Sequence, residues 1–134
     1  MSLSRLAGTA LALLAAAVAG VSPAGADAQG KTLRIVALGD STTATALDWA
    51  APIKEVYADC LPRSLAAHGI SASVVNAGIG DTTTRDALAR LDRDVRHHHP
   101  DLVVIQFGIN DSWIDLDEGR TAPRLTRAEY RDNL

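Results

Sequence analysis

The 134-residue sequence predicts an α/β fold, a three-layer sandwich with helices on both faces of a central parallel sheet. Two observations carry that expectation. Three segments of strand length recur, two of them apolar runs and one centred on Val74-Val75, and each closes in a turn rich in Gly, Asp or Asn. Between them lie segments with helical hydrophobic spacing. Composition bounds the rest: 47% apolar residues exclude a disordered chain. Thirteen basic against 16 acidic residues, a net charge of −3, exclude broad electrostatic nucleic-acid binding. One cysteine excludes an internal disulfide framework and a cysteine-rich zinc site.

The elements follow in order. Met1 to Arg5 is short and basic, and Leu6 to Val21 is almost wholly apolar. Ser22-Pro23 breaks any helix, and Ala24-Gly25-Ala26 and Ala26-Asp27-Ala28 both fit an A-x-A cleavage pattern. The apolar run, about 16 residues, falls short of the ~20 needed to span a bilayer. Residues 1–28 are therefore expected to be a cleaved signal peptide, and the protein secreted or periplasmic, with no stable membrane span after cleavage. Residues 29–134 would form the domain.

Leu33 to Leu38, ending at Gly39, is the first expected strand, and Thr42 to Ala51 reads as loop. A helix is expected between Ile53 and His68, stopped by Gly69, beginning near Leu61 or kinked at Pro62. Ser71 to Asn76 is the second strand. Thr84 to His97 carries Ala87, Leu88, Leu91 and Val95 in an apolar stripe, which predicts one amphipathic helix ended by Pro100. Leu102 to Phe107 is the third strand. Thr126-Arg127-Ala128-Glu129 matches a capping box and starts a last helix. Cys60, lacking an internal partner, reads as a small buried apolar residue.

In parallel sheets ligands collect beyond the carboxyl ends of the strands. The unusual residues sit there: Gly39-Asp40-Ser41, the block Asn76 to Thr83 that opens with Asn76-Ala77-Gly78, and Gly108-Ile109-Asn110-Asp111. A serine directly after a buried strand can be held open above the sheet, but it needs a base to become a nucleophile. Glycines after the second strand would let the backbone turn and offer N–H groups to an oxyanion, and an asparagine amide can donate to one without adding charge. Each turn alone is also ordinary turn or cap chemistry. Their succession after three consecutive strands is not.

These blocks resemble the SGNH/GDSL family of serine esterases and lipases. Gly39-Asp40-Ser41 matches the first block, with Thr42 where the family name has Leu, and Gly108-Ile109-Asn110-Asp111 matches its G-x-N-D block unchanged. The resemblance runs from about Leu33 to Asp111 and implies a flavodoxin-like SGNH hydrolase fold. It implies Ser41 as nucleophile, with the N–H of Ser41, the N–H of Gly80 and the Asn110 side-chain amide as the oxyanion hole. The second block leaves the donor between Gly80 and Asp81, and Gly80 is favoured because a carboxylate there would oppose the oxyanion. Asp40 and Asp111 are expected to accept hydrogen bonds that fix their turns.

The family's late Asp-x-x-His has no match. His68 and His97-His98-His99 all precede the third strand and read as solvated helix ends. The chain is therefore expected to hold the N-terminal portion of the domain, incomplete at the C-terminus and without its catalytic base. Trp49 and Trp113 follow the first and third blocks and suit either a cleft or the core. A phosphatase of the D-x-D type fails on spacing, and no phosphate loop or dinucleotide fingerprint is present. The expected activity is secreted serine ester hydrolysis through an acyl-enzyme, with no cofactor and no metal. Expected partners are small-molecule, carbohydrate or lipid esters and no nucleic acid. The alternative is a non-catalytic binding module of the same fold, or an inactive fragment.

Overall fold

The computed structural model describes residues 30–44 and 55–134. The expected leader, most of the loop expected over Thr42 to Ala51, and Trp49 lie outside the described residues.

Three parallel strands, β1 (Leu33–Gly39), β2 (Ala72–Gly78) and β3 (Leu102–Gln106), form a sheet in the order β2-β1-β3. The register places Gly39 beside both Gly78 and Gln106, so all three strands end level. β1 is central, and Ile35 to Leu38 are each at most 2% exposed. That double-sided burial is why the segment is continuously apolar. β3 pairs with the other side of β1, and Ile105 is 51% exposed despite its apolar run.

Helices cover both faces. α1 (Tyr57–Ala66) lies where Ala37 packs with Val56, Ala58, Tyr57 and Val74. On the other face Val36, Leu38 and Ala77 meet Ala87 and Val95, with Leu91, Val103 and Phe107 packed against them. That layer contains α2 (Thr84–Ala89), α3 (Leu91–Asp94) and a 3-10 turn at Arg96–His98. Beyond β3 come α4 (Ile109–Ser112), a 3-10 turn at Leu116–Glu118 and α5 (Arg127–Asn133). Thr126 caps α5 by accepting from the Glu129 N–H at 3.2 Å.

Three expectations change. The single helix over Thr84 to His97 is broken at Arg90, whose φ of −111° and ψ of 6° are not helical. Arg90 is only 8% exposed, and its guanidinium turns inward to the carbonyls of Ala77 (2.7 Å) and Gly39 (2.9 Å) and to Asp94 (2.8 Å). Leu88, expected in the apolar stripe, is displaced outward and is exposed. The helix expected between Ile53 and His68 is found at Tyr57–Ala66, but it starts ahead of Leu61 and carries Pro62 within it. Cys60 is half-buried rather than buried and lies beside Glu55 and Arg63 on the surface of α1. Desolvation and the Glu55 carboxylate push its thiol above the ordinary range, which disfavours the reactive thiolate.

Candidate active site

The first turn is built on two close approaches. A Cβ on Gly39 would lie 2.0 Å from Thr43 Oγ1, and one on Gly78 would lie 2.3 Å from the Ala44 nitrogen. Only glycine at both strand ends lets residues 43 and 44 fold down onto the sheet. The N–H groups of Thr43 and Ala44 both bond the Asp40 carbonyl at 3.1 Å, closing the turn. Asp40, 1% exposed, accepts from the Thr42 N–H (2.9 Å) and hydroxyl (2.8 Å) through Oδ1. Ser41 stands half-buried at the apex. Its hydroxyl has no hydrogen-bond partner among the described residues.

The second turn is tied to the first. Asn76 donates from Nδ2 to the Thr43 carbonyl at 2.8 Å and accepts the Gly78 N–H at 3.0 Å. The Ile79 N–H donates to the Gly39 carbonyl at 3.1 Å. These bonds bring Gly80 against the serine, such that a Cβ on Gly80 would lie 3.9 Å from the Ser41 Cβ. The positive φ of the turn belongs to Asp81, at 57°, and not to Gly80. The Asp81 carboxylate points to solvent, 78% exposed, and pairs with Arg124 at 2.5 Å.

The third turn is tied to the second. Asn110 donates from Nδ2 to the Thr82 carbonyl at 2.9 Å, which fixes the amide and leaves its second N–H free of that bond. Asp111 is 3% exposed, and its Oδ1 accepts from the Thr84 N–H (2.9 Å) and hydroxyl (2.5 Å). Asn133 of α5 donates to the same Thr84 hydroxyl at 3.0 Å. Tyr130 of α5 donates to the Phe107 carbonyl at 3.2 Å, just before the turn.

Three residues without a place in the motif reading hold these turns. Arg90 ties the carbonyl ends of β1 and β2; the signal was its spacing three residues after Ala87, on the buried stripe. Thr84 joins the second and third turns from the first position of α2, immediately after the second block. Arg124 is 43 residues from Asp81, and no local pattern announces it. The four histidines lie elsewhere. Each precedes a strand, His68 before β2 and His97 to His99 before β3, so a strand length of about 15–20 Å separates them from the serine. Among the described residues no group of His, Cys, Asp or Glu is arranged to hold a metal ion. No helix among them is long and apolar enough to cross a membrane.

Parallel strands ending in a serine turn, a glycine turn and an Asn-Asp turn, with helices on both faces, are the fold of the SGNH hydrolases. The chain belongs to the GDSL-like lipase/acylhydrolase family, whose sequence profile matches residues 37–132. It is 39% identical to a lipase/acylhydrolase from Enterococcus faecalis, with a TM-score of 0.60 over 76% of this chain and 48% of that one. It is 38% identical over 78 residues to an arylesterase of Vibrio mimicus, covering 58% of this chain and 38% of the relative. A catalytic mutant of an acetylxylan esterase from Geobacillus stearothermophilus is 27% identical, with a TM-score of 0.61 over 78% of this chain and 52% of that one. The chain thus spans about half the length of the solved structures it matches and less of the arylesterase.

Proposed function

We propose that the chain carries the nucleophile and oxyanion donors of a secreted carboxylic ester hydrolase. Ser41 Oγ attacks the ester carbonyl carbon and gives up its proton to a base. The tetrahedral oxyanion is bound by the N–H groups of Ser41 and Gly80 and by the free N–H of the Asn110 amide. Collapse expels the alcohol, which takes the proton back, and leaves acyl-Ser41. Water then releases the acid by the same steps. The observation that carries this reading is the convergence of three strand-end turns, with the side of Gly80 where a Cβ would stand facing Ser41.

The base of the proposal is a histidine outside these 134 residues, because the four within them lie a strand length away. The matched acetylxylan esterase mutant, called catalytic, exchanges a histidine for alanine. The substrate class is carried by the same comparison: aryl esters and acetylated carbohydrates fit the names of the relatives. Exposed Ile79, Ile109 and Trp113 flank the donor turns and suit an apolar acyl or aryl group, a lipid ester included. Export rests on the leader pattern over residues 1–28.

The test is p-nitrophenyl acetate hydrolysis by the full natural chain and its variants. Ser41→Ala is expected to lose about 10⁴-fold or more, and Asn110→Ala about 10²–10³-fold. Equal rates for the parent and Ser41→Ala would remove Ser41 from the mechanism. The distance of the histidines favours one second reading, a binding module. Stoichiometric ester binding without turnover by the full chain would select it.

A further inference from the structure

Arg124 lies outside the three motif turns, yet it joins the second to the segment after the third. Its Nε and Nη2 fork onto the Asp115 carboxylate at 2.9 and 2.8 Å, and its Nη1 reaches Asp81 Oδ1 at 2.5 Å. Its N–H donates to the Trp113 carbonyl at 2.9 Å, and the next N–H, of Leu125, donates to the Asp111 carbonyl at 3.0 Å. Asp115 and Arg124 are 19% and 27% exposed, so the fork is sheltered enough to fix the plane of the guanidinium. Asp115 is accordingly held below the usual carboxylate range by Arg124. The third donor then falls on Asp81, whose left-handed backbone directly follows Gly80.

We propose that Arg124 is a positioning residue for the oxyanion site. It holds Asp81 in its left-handed conformation, which keeps Gly80 against Ser41. It also pairs a carboxylate that would otherwise stand one residue from the developing negative charge. The inference rests on the reading of Ser41 as nucleophile and Gly80 as donor. Because Asp81 is mostly exposed, water screens its charge, so the effect lies below that of deleting a donor.

The experiment compares p-nitrophenyl acetate kinetics of the full natural chain with Arg124→Met, Arg124→Lys, Asp81→Asn, the double variant Arg124→Met with Asp81→Asn, and Ser41→Ala. Arg124→Met is expected to lower kcat about tenfold with KM within about twofold. Asp81→Asn, which removes the charge together with its partner's role, costs about threefold. The double variant should recover to the Asp81→Asn rate, a rescue that simple loss of packing would not give. A double variant no faster than Arg124→Met, or a loss confined to KM, overturns the proposal. Nitrogen-15 relaxation gives a readout free of turnover: the Gly80 order parameter should fall from about 0.85 toward 0.6 in Arg124→Met. Should that variant fail to fold, Arg124→Lys keeps the charge without the fork and should show a smaller fall. An unchanged order parameter overturns the assignment. A Ser41→Ala rate equal to the parent sinks the site reading itself. An inactive Ser41→Ala beside a parental Arg124→Met sinks only the role of Arg124.

Discussion

The two ends of the sheet are held by different chemistry. At the carboxyl end, side chains of one turn bond backbone atoms of another: Asn76 to the Thr43 carbonyl, Arg90 to the Gly39 carbonyl, Asn110 to the Thr82 carbonyl, Asp111 to the Thr84 N–H. Arg90, Thr84 and Asp111 are each under 9% exposed. At the amino end, Asp101 gathers exposed Lys31 at 2.5 Å and the Arg34 N–H at 2.8 Å, and His97 and His98 lie in the 3-10 turn that His99 closes. Lys31 and the Arg34 backbone hold the Asp101 carboxyl down at about 2. The same strands thus pass from a surface of screened ion pairs to a dry mesh of side chain-to-backbone bonds. Backbone position is set where unpaired groups would be costly, and water makes it cheap to leave charges unpaired at the other end.

Substitutions can break this comparison. The largest effect is expected for Gly78→Ala, since its Cβ would meet backbone that cannot move without lifting residues 43 and 44. A loss of about 3 kcal/mol or more should appear as a lower urea midpoint. A parental midpoint would show that the turns are not clamped. Arg90→Met should cost about 2–3 kcal/mol, because two strand-end carbonyls lose a buried charged donor. Equilibrium unfolding of that variant measures it, and a cost below that of surface substitutions would refute the dry mesh.

Acidification sharpens the contrast at smaller amplitude. Hydrogen bonds from Arg93, then from Arg90, hold the Asp94 carboxyl down from 3.8 to about 2. A depressed carboxylate contributes stability above its unfolded value near 4 and loses it as pH falls through about 2. Urea midpoints measured from pH 5 to 2 should therefore decline, and Asp94→Asn should flatten the decline. Least affected should be Lys31→Ala, since the Lys31 side chain is itself 76% exposed and water screens its pair. Its midpoint at pH 7 should match the parent, and a clear drop would show that the amino end shares the rigidity of the carboxyl end.

Much of the fold was legible because β1 and β3 announce themselves by apolar runs, β2 by its Val74-Val75 pair, and a central strand must be apolar on both faces. β3 was legible as a strand, but its place beside β1 opposite β2 was not, since strand order is a long-range property. The break at Arg90 escaped the periodic reading because arginine on a helix normally marks the solvent side. Here the carbonyls of Gly39 and Ala77 draw it inward, a fact about neighbours distant in sequence. Ser41, Gly80 and Asn110 could be read as candidates, since each follows a strand at the end where the sheet collects ligands. Thr84 and Arg124 could not, since their partners, Asp111 and Asp81, lie 27 and 43 residues away.

Among the described residues, the second turn is bonded to the first through Asn76 and to the third through Thr82 and Thr84, and it mediates the ties between first and third. The consequence is one of heredity and engineering. A loop graft from a relative that replaces the Gly39–Ala44 turn alone, or the Gly108–Ser112 turn alone, brings a side that no longer fits its middle neighbour. The three turns travel as one cassette. New specificity is then acquired more easily in the segment from Leu116 to Pro123, which lies beyond the Asp115 carboxylate that Arg124 grips.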